Sequence, residues 1–208
     1  MGKIDDKKQM KKDTLYRSSF ELFTQKGFHK TSISDIVQKA GVAKGTFYLY
    51  FRDKFDVRNK LISHKSSVLF QNAYNALDKD EIVDFSEQLV FVVDHIINQL
   101  TQDKELLTFI TKNLSWGVFK SALLHPKEEI GLDFKEYYTE LIEHSPLQFE
   151  NPEVMLYMII ELVSSNIYSS ILYSEPIPIA ELKPYLYRTI RDIIKAQATA
   201  PELCTDKN

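Results

Sequence analysis

Apolar residues return every three or four positions along almost the whole chain of 208 residues, and nowhere do they alternate in sustained steps of two. That rhythm puts one face of a helix inward and rules out half-buried sheet, so the expected fold class is all-α. The punctuation agrees: 6 Gly and 7 Pro are too few for the many turns of an all-β chain.

The periodicity divides into separate helices. The first is expected from about Asp6 to Lys26, with Leu15, Ser19, Leu22 and Phe23 inward and Gly27 as its stop. Ser32-Ile33-Ser34-Asp35 has the form of a capping box, with Asp35 where Glu is commoner. It opens a second helix on which Ile33, Ile36, Val37 and Ala40 share a face. Gly41 ends that helix, Val42 starts a short connection, and a third helix of about Lys44 to Phe51 follows. Asp53 caps a fourth, with Phe55, Ile62, Leu69, Phe70, Ala73 and Leu77 on its buried side. Further helices are expected at about Ile82–Leu100, Lys104–Asn113, Ser115–Leu124, Glu128–His144, Pro152–Tyr173 and Ile179–Gln197. Proline-marked breaks at His125-Pro126, Ser145-Pro146, Asn151-Pro152 and Pro176-Ile177-Pro178 separate them. The division expected is a small helical domain over 1–53, a larger domain over 54–200 entered through a connecting helix at 54–77, and a polar tail at 201–208.

Charge is divided as sharply as the helices. Residues 1–65 hold 15 Lys and Arg against 7 Asp and Glu, and the remainder holds 11 against 22. The formal net charge of −3 therefore hides a cationic first third suited to a polyanion. The longest apolar run, Val154 to Val163, is interrupted by Glu161 and is roughly half a membrane span. The first residues carry no apolar stretch, and the single Cys204 cannot form an internal disulfide, so a reducing cytoplasm is expected.

Two short helices joined by a glycine-containing turn, after a longer one, make a helix-turn-helix whose last helix enters the major groove. Phe47 and Phe51 share the core face of that helix, while Lys44 and Tyr48 share the other with Gly45, Thr46 and Leu49 around them. A glycine inside a helix costs about 1 kcal/mol against alanine, which is reasonable at Gly45 if the backbone must approach a groove wall. Lys44 is a donor for phosphate or guanine, Thr46 for a base edge or phosphate, and Tyr48 for a phosphate. Lys54 opposes the helix dipole in a first turn, an arrangement that suits a phosphate docked there.

Thr31-Ser32-Ile33, Asp35-Ile36-Val37 and the run from Ala40 through Gly41-Val42-Ala43-Lys44-Gly45-Thr46-Phe47-Tyr48-Leu49-Tyr50-Phe51 to Lys54 resemble the TetR family of bacterial regulators over about residues 11–58. The resemblance implies that Thr31 or Ser32, Lys44, Thr46, Tyr48, Tyr50 and Lys54 occupy the family's DNA-contact positions. Val37 replaces a commoner alanine, and Leu49 replaces a histidine often found before the closing Tyr-Phe pair. The order Lys44-Gly45-Thr46 after a helix does not fit a phosphate loop, which needs Gly-Lys-Ser/Thr after a strand.

The same resemblance implies that the second domain dimerises through its last two long helices and encloses a ligand pocket. Independently, Val154 to Tyr173 is apolar nearly all round, and Ser165 and Ser169 would admit a partner helix. Leu182, Leu186, Ile190 and Ile193 give the last helix its interface stripe. Pocket candidates are Phe91, His95, Phe109, Asn113, Trp116 and Phe119. Phe134, Tyr137, Tyr138, Tyr157, Glu161 and Asn166 complete them. Glu161 either sees solvent, pairs across the dimer, or offers a countercharge to a cationic ligand. The five histidines are scattered, no metal, nucleophile-elbow or dinucleotide motif occurs, and neither an enzyme activity nor a cofactor is expected. The function expected is a homodimeric repressor released from a palindromic operator by a small-molecule effector; the alternative is a DNA-binding regulator that senses a partner protein or no ligand.

Overall fold

A computed structural model describes residues 3–113 and 134–199, with side chains over 7–111 and 138–199. The helix expected at 115–124, the start of the one expected at 128–144, and the 201–208 tail lie outside the described residues. The elements are α1 (Lys3–Gln25), α2 (Ile33–Ala40), α3 (Lys44–Tyr48), α4 (Lys54–Ala76), α5 (Phe85–Gln102) and α6 (Lys104–Asn113). After these come α7 (Phe134–Glu143), α8 (Pro152–Tyr173) and α9 (Ile179–Gln197). One two-residue antiparallel ladder, β1 (Gln148–Phe149) with β2 (Ala198–Thr199), interrupts the helices. The described residues form two compact units, 3–66 with 108–113 and 67–107 with 134–199, so the division runs through α4 and α6.

In the first unit, two glycines set the corners. Gly27 (φ 89°) and Gly41 (φ 66°) take the left-handed conformation that strains other residues, and they end α1 and α2. Ser32 Oγ accepts the Asp35 N–H at 3.1 Å, and the Asp35 carboxylate accepts the Ser32 N–H at 2.7 Å, a reciprocal capping box opening α2. Lys26–Asp35 (2.8 Å) and Lys39–Glu21 (2.9 Å) tie α2 to α1 across its exposed edge. The Lys26 ammonium, aided by the Ser32 N–H, holds the Asp35 carboxyl well below the usual carboxylate range.

Leu15, Ile36, Phe47, Phe51, Val57, Leu61 and Ile62 are all but fully enclosed and form this unit's core. Phe109 of α6 closes it from another side, edge-on to Phe20 at 5.2 Å and stacked on Phe23 at 6.4 Å. Two expectations are corrected. α3 ends at Tyr48 rather than Phe51: the N–H groups of Tyr50 and Phe51 both bond back to the Phe47 carbonyl at 3.0 Å, a turn that leaves Phe51 in the core. Phe55 is 54% exposed rather than buried, because the inward stripe of α4 begins two residues later at Val57. Farther along α4, Ile62, Leu69, Ala73 and Leu77 are buried as expected.

The second unit is built on α5, α8 and α9. Leu89, Val93 and Ile97 of α5, Met155, Ile159 and Ile167 of α8, and Leu186, Ile190 and Ile194 of α9 fill it. Asn151 caps α8 by accepting the Val154 N–H at 3.1 Å, with Pro152 in the first turn, where no N–H is needed. A polar seam joins α5 to α9. Arg191 grips Glu87 with two bonds of 2.6 and 2.8 Å, and the Lys183 ammonium reaches Asp94 and Asn98, each at 2.6 Å. Tyr187 donates its hydroxyl to the same Asp94 carboxylate. Burial alone would raise the Asp94 carboxyl, but the hydrogen bonds from Lys183 and Tyr187 outweigh it and hold it below its ordinary value.

Candidate nucleic-acid interface

The buried Phe47 fixes which way α3 faces. With 3.6 residues to a turn, the positions opposite Phe47 are Gly45 and Leu49, one turn apart, with Tyr48 beside them. Leu49 continues the helical backbone one residue past α3 (φ −72°, ψ −24°), so this phase holds through it. Leu49 is 79% exposed and Tyr48 53%, and Lys44 and Gly45 are exposed as well. A Cβ placed on Gly45 would meet no atom within 4 Å, so the backbone is bare on this side. Thr46 is half-buried at the helix flank.

The remaining expected DNA contacts separate into two kinds. Ser32 is exposed at the α2 cap, whereas Thr31 is 2% exposed and its hydroxyl donates inward to the Gly27 carbonyl at 2.8 Å. Of the pair Thr31 or Ser32, only Ser32 has surface to offer. Tyr50 is half-buried, and its hydroxyl donates to the Lys8 carbonyl at 3.1 Å, which ties the end of the helix-turn-helix to α1.

Lys54, expected as a phosphate donor, is held within the fold. Its ammonium faces the carbonyls of Phe28 (2.8 Å), Thr31 (2.9 Å) and His29 (3.4 Å), and lies 4.5 Å from the Phe28 ring centre. Those carbonyls supply the negative charge that makes a cation tolerable in the first turn of α4. Lys54 thus pins the loop from which Ser32 begins α2.

Sequence reading missed two cations beside the recognition surface. Arg52, whose side chain is 88% exposed, and Lys60 line an open depression of about 350 Å³ with Tyr48, Leu49, Tyr50, Phe51 and Asp56. Arg52 sits in a connection without periodicity, and only its neighbours in space reveal it. Asp56 anchors that connection by accepting the Arg52 N–H at 2.9 Å.

The described members of the expected pocket set are divided between the two units. Phe109 belongs to the first unit's core, while Phe91 and His95 lie together in the second with ring centres 6.0 Å apart. Tyr138 donates its hydroxyl to the Pro152 carbonyl at 2.7 Å. Asn166 is exposed and donates to Leu162 of its own helix at 2.6 Å; Glu161 is half-buried, and Tyr157 is exposed. Trp116 and Phe119, and the side chains of Asn113, Phe134 and Tyr137, lie outside the described residues. Of the expected dimer set, Leu186 and Ile190 are buried within the chain and present no surface to a partner. Ser165 is exposed, and Ser169, Leu182 and Ile193 are half-buried.

Three helices, a left-handed glycine corner and an outward face bearing Lys44, Gly45, Tyr48 and Leu49 define a helix-turn-helix protein of the DNA-binding class. Residues 12–60 match the model for bacterial regulatory proteins of the tetR family. Over those residues the chain is similar to the TetR family. It is 29% identical over 131 residues to YvdT, an uncharacterized helix-turn-helix transcriptional regulator of Bacillus subtilis, covering 63% of each chain. It is 30% identical over 89 residues to the fatty acid metabolism regulator protein of the same species, covering 43% of this chain and 45% of that one. Among solved structures, the fold matches FadR from Bacillus subtilis in complex with stearoyl-CoA, with TM-score 0.62 and 17% identity over 85% of this chain and 96% of the other.

Proposed function

We propose that the protein is a homodimeric transcriptional repressor of the cytoplasm and nucleoid, which lays α3 of each subunit in successive major grooves of a palindromic operator and is released by a small-molecule effector. The observation that carries this reading is the uncovered face of α3: a bare glycine backbone, a lysine, a tyrosine and a leucine, held outward by Phe47 on a cationic unit. The half-sites would lie one DNA turn apart, about 34–36 Å, or a multiple of it.

Dimerisation is supported by α8. Only 33% of its apolar stretch is buried, and Val154, Tyr157 and Met158 expose an apolar patch on one face. By length and composition this helix could also cross a membrane. Its other face, however, packs against α9 and α5, and Ser164, Ser165 and Asn166 interrupt it midway. A second copy of the same helix is the cover that fits.

Selection of bound sequences from random duplex DNA by the full chain tests the reading, and should return an inverted repeat. If each subunit neutralises three to five phosphates, log K against log salt should fall with a slope of about −5 to −9. A slope near zero on the selected sequence would refute the electrostatic interface. For the effector, a thermal-shift screen of small molecules that includes a long-chain acyl-CoA should find a compound that raises the melting temperature and lowers operator affinity. A protein that responds only to a partner protein would return none.

A further inference from the structure

We infer that Leu49 is the specificity-determining residue of the recognition helix and that it reads the C5-methyl group of a thymine in each half-site. The inference rests on the operator-binding reading and deepens it.

Gly45 and Leu49 are the two residues opposite the buried Phe47, so they point most directly away from the protein. Gly45 has no side chain and lets the backbone come close. Leu49, one turn later, is then the side chain that reaches deepest at the centre of the contact. At 79% exposed it is the most exposed large hydrophobic among the described residues, and its side chain carries no hydrogen-bonding group. An occupant that rewards it must offer an apolar spot within an anionic frame, since Lys44 precedes it on the same helix and Arg52 and Lys60 line the depression it borders. The major groove has that make-up, with phosphates on both rims and the thymine methyl as the apolar group on its floor. Guanine, adenine and cytosine edges present donors and acceptors that a leucine cannot pair. A leucine at this position therefore selects thymine by burying its methyl, where a hydrogen-bonding side chain would select a polar edge.

Replacing thymine by uracil removes that methyl and leaves every hydrogen bond of the base pair intact. The full-length dimer is titrated by fluorescence anisotropy onto its selected operator, with each symmetric pair of thymines replaced by uracil in turn. One pair should weaken binding about three- to fivefold for each half-site, the worth of one buried methyl. The same substitution should have no effect on Leu49→Ala, whose melting temperature should stay close to that of the wild type because Leu49 is 79% exposed. If no thymine-to-uracil replacement alters wild-type affinity, or if the loss persists undiminished in Leu49→Ala, the inference is overturned while the regulator reading stands. If random DNA yields no bound sequence at all, both fall together.

Discussion

Two clusters of exposed large apolar side chains lie in contrasting surroundings, and the surroundings tell what each is for. Tyr48 and Leu49 stand at the end of a five-residue helix that carries Lys44 and a bare glycine, and they border a depression lined by Arg52 and Lys60. Val154, Tyr157 and Met158 stand on a 22-residue helix that contains no Lys or Arg. Apolar surface framed by cations suits the groove of a polyanion, whereas apolar surface without them suits another protein surface of the same make-up. Exposure alone says that something is missing, and the neighbouring charges say what.

The sharpest test of this contrast is to damage each patch and ask what survives. Gly45→Leu should abolish operator binding, by at least about a hundredfold on the scale of losing a recognition contact set, and leave the dimer intact by light scattering. Tyr157→Glu with Met158→Glu should yield monomers and weaken operator binding through loss of the second half-site. Retention of the dimer in the double variant would show that the α8 patch has another partner.

A smaller effect separates two lysines that the sequence makes look alike. Lys44→Ala should weaken DNA binding with no change in melting temperature. Lys54→Met should lower the melting temperature by several degrees, because three loop carbonyls lose a charged donor, at a cost of about 1.5–3 kcal/mol for such bonds. If Lys54→Met melts like the wild type, the loop does not depend on that ammonium.

The smallest expected effect is one of pH. Burial, with Lys65 and Lys12 nearby, lowers the pKa of His64, and the opposing pull of Asp13 does not offset this. The ring stacks on Tyr16 at 6.1 Å, and its Nδ1 has no hydrogen-bond partner among the described residues. A histidine with a depressed folded pKa binds its proton more readily when unfolded. Its contribution to stability is therefore present above about pH 6.5, the ordinary histidine value, and is lost as pH falls below it. The melting temperature should drop between pH 7 and 5, and His64→Leu should flatten that slope. An unchanged slope would place the acid sensitivity elsewhere.

Local chemistry was the legible part of this fold. Ser32, Asp35, Gly41 and Phe47 each act within a few residues of themselves, and the α2–α3 corner could be placed from their spacing. Contacts across long sequence separations were not legible. Lys54 meets the carbonyls of residues 28–31, and the buried Thr31 turns inward to Gly27. Neither contact leaves a periodic trace, so both residues looked like surface. On α9 the periodicity was right, but it could not say which side faces the protein's own core: Leu186, Ile190 and Ile194 do. The unit that holds each pocket candidate was hidden for a similar reason. Residue type marks an aromatic as core or lining, and only the path of the chain decides which unit holds Phe109.

The recognition helix divides its residues cleanly between two tasks. Phe47 and the glycine corner at Gly41 hold the helix in place, while Gly45 and Leu49 look outward and place no side chain in the core. Substitutions in the outward group are therefore nearly invisible to folding. After a gene duplication, one copy could drift to a new operator through these positions, one base preference at a time, without passing through an unstable intermediate. The same separation offers an engineer a small, exchangeable cassette in which target choice can be rewritten while the scaffold stays as it is.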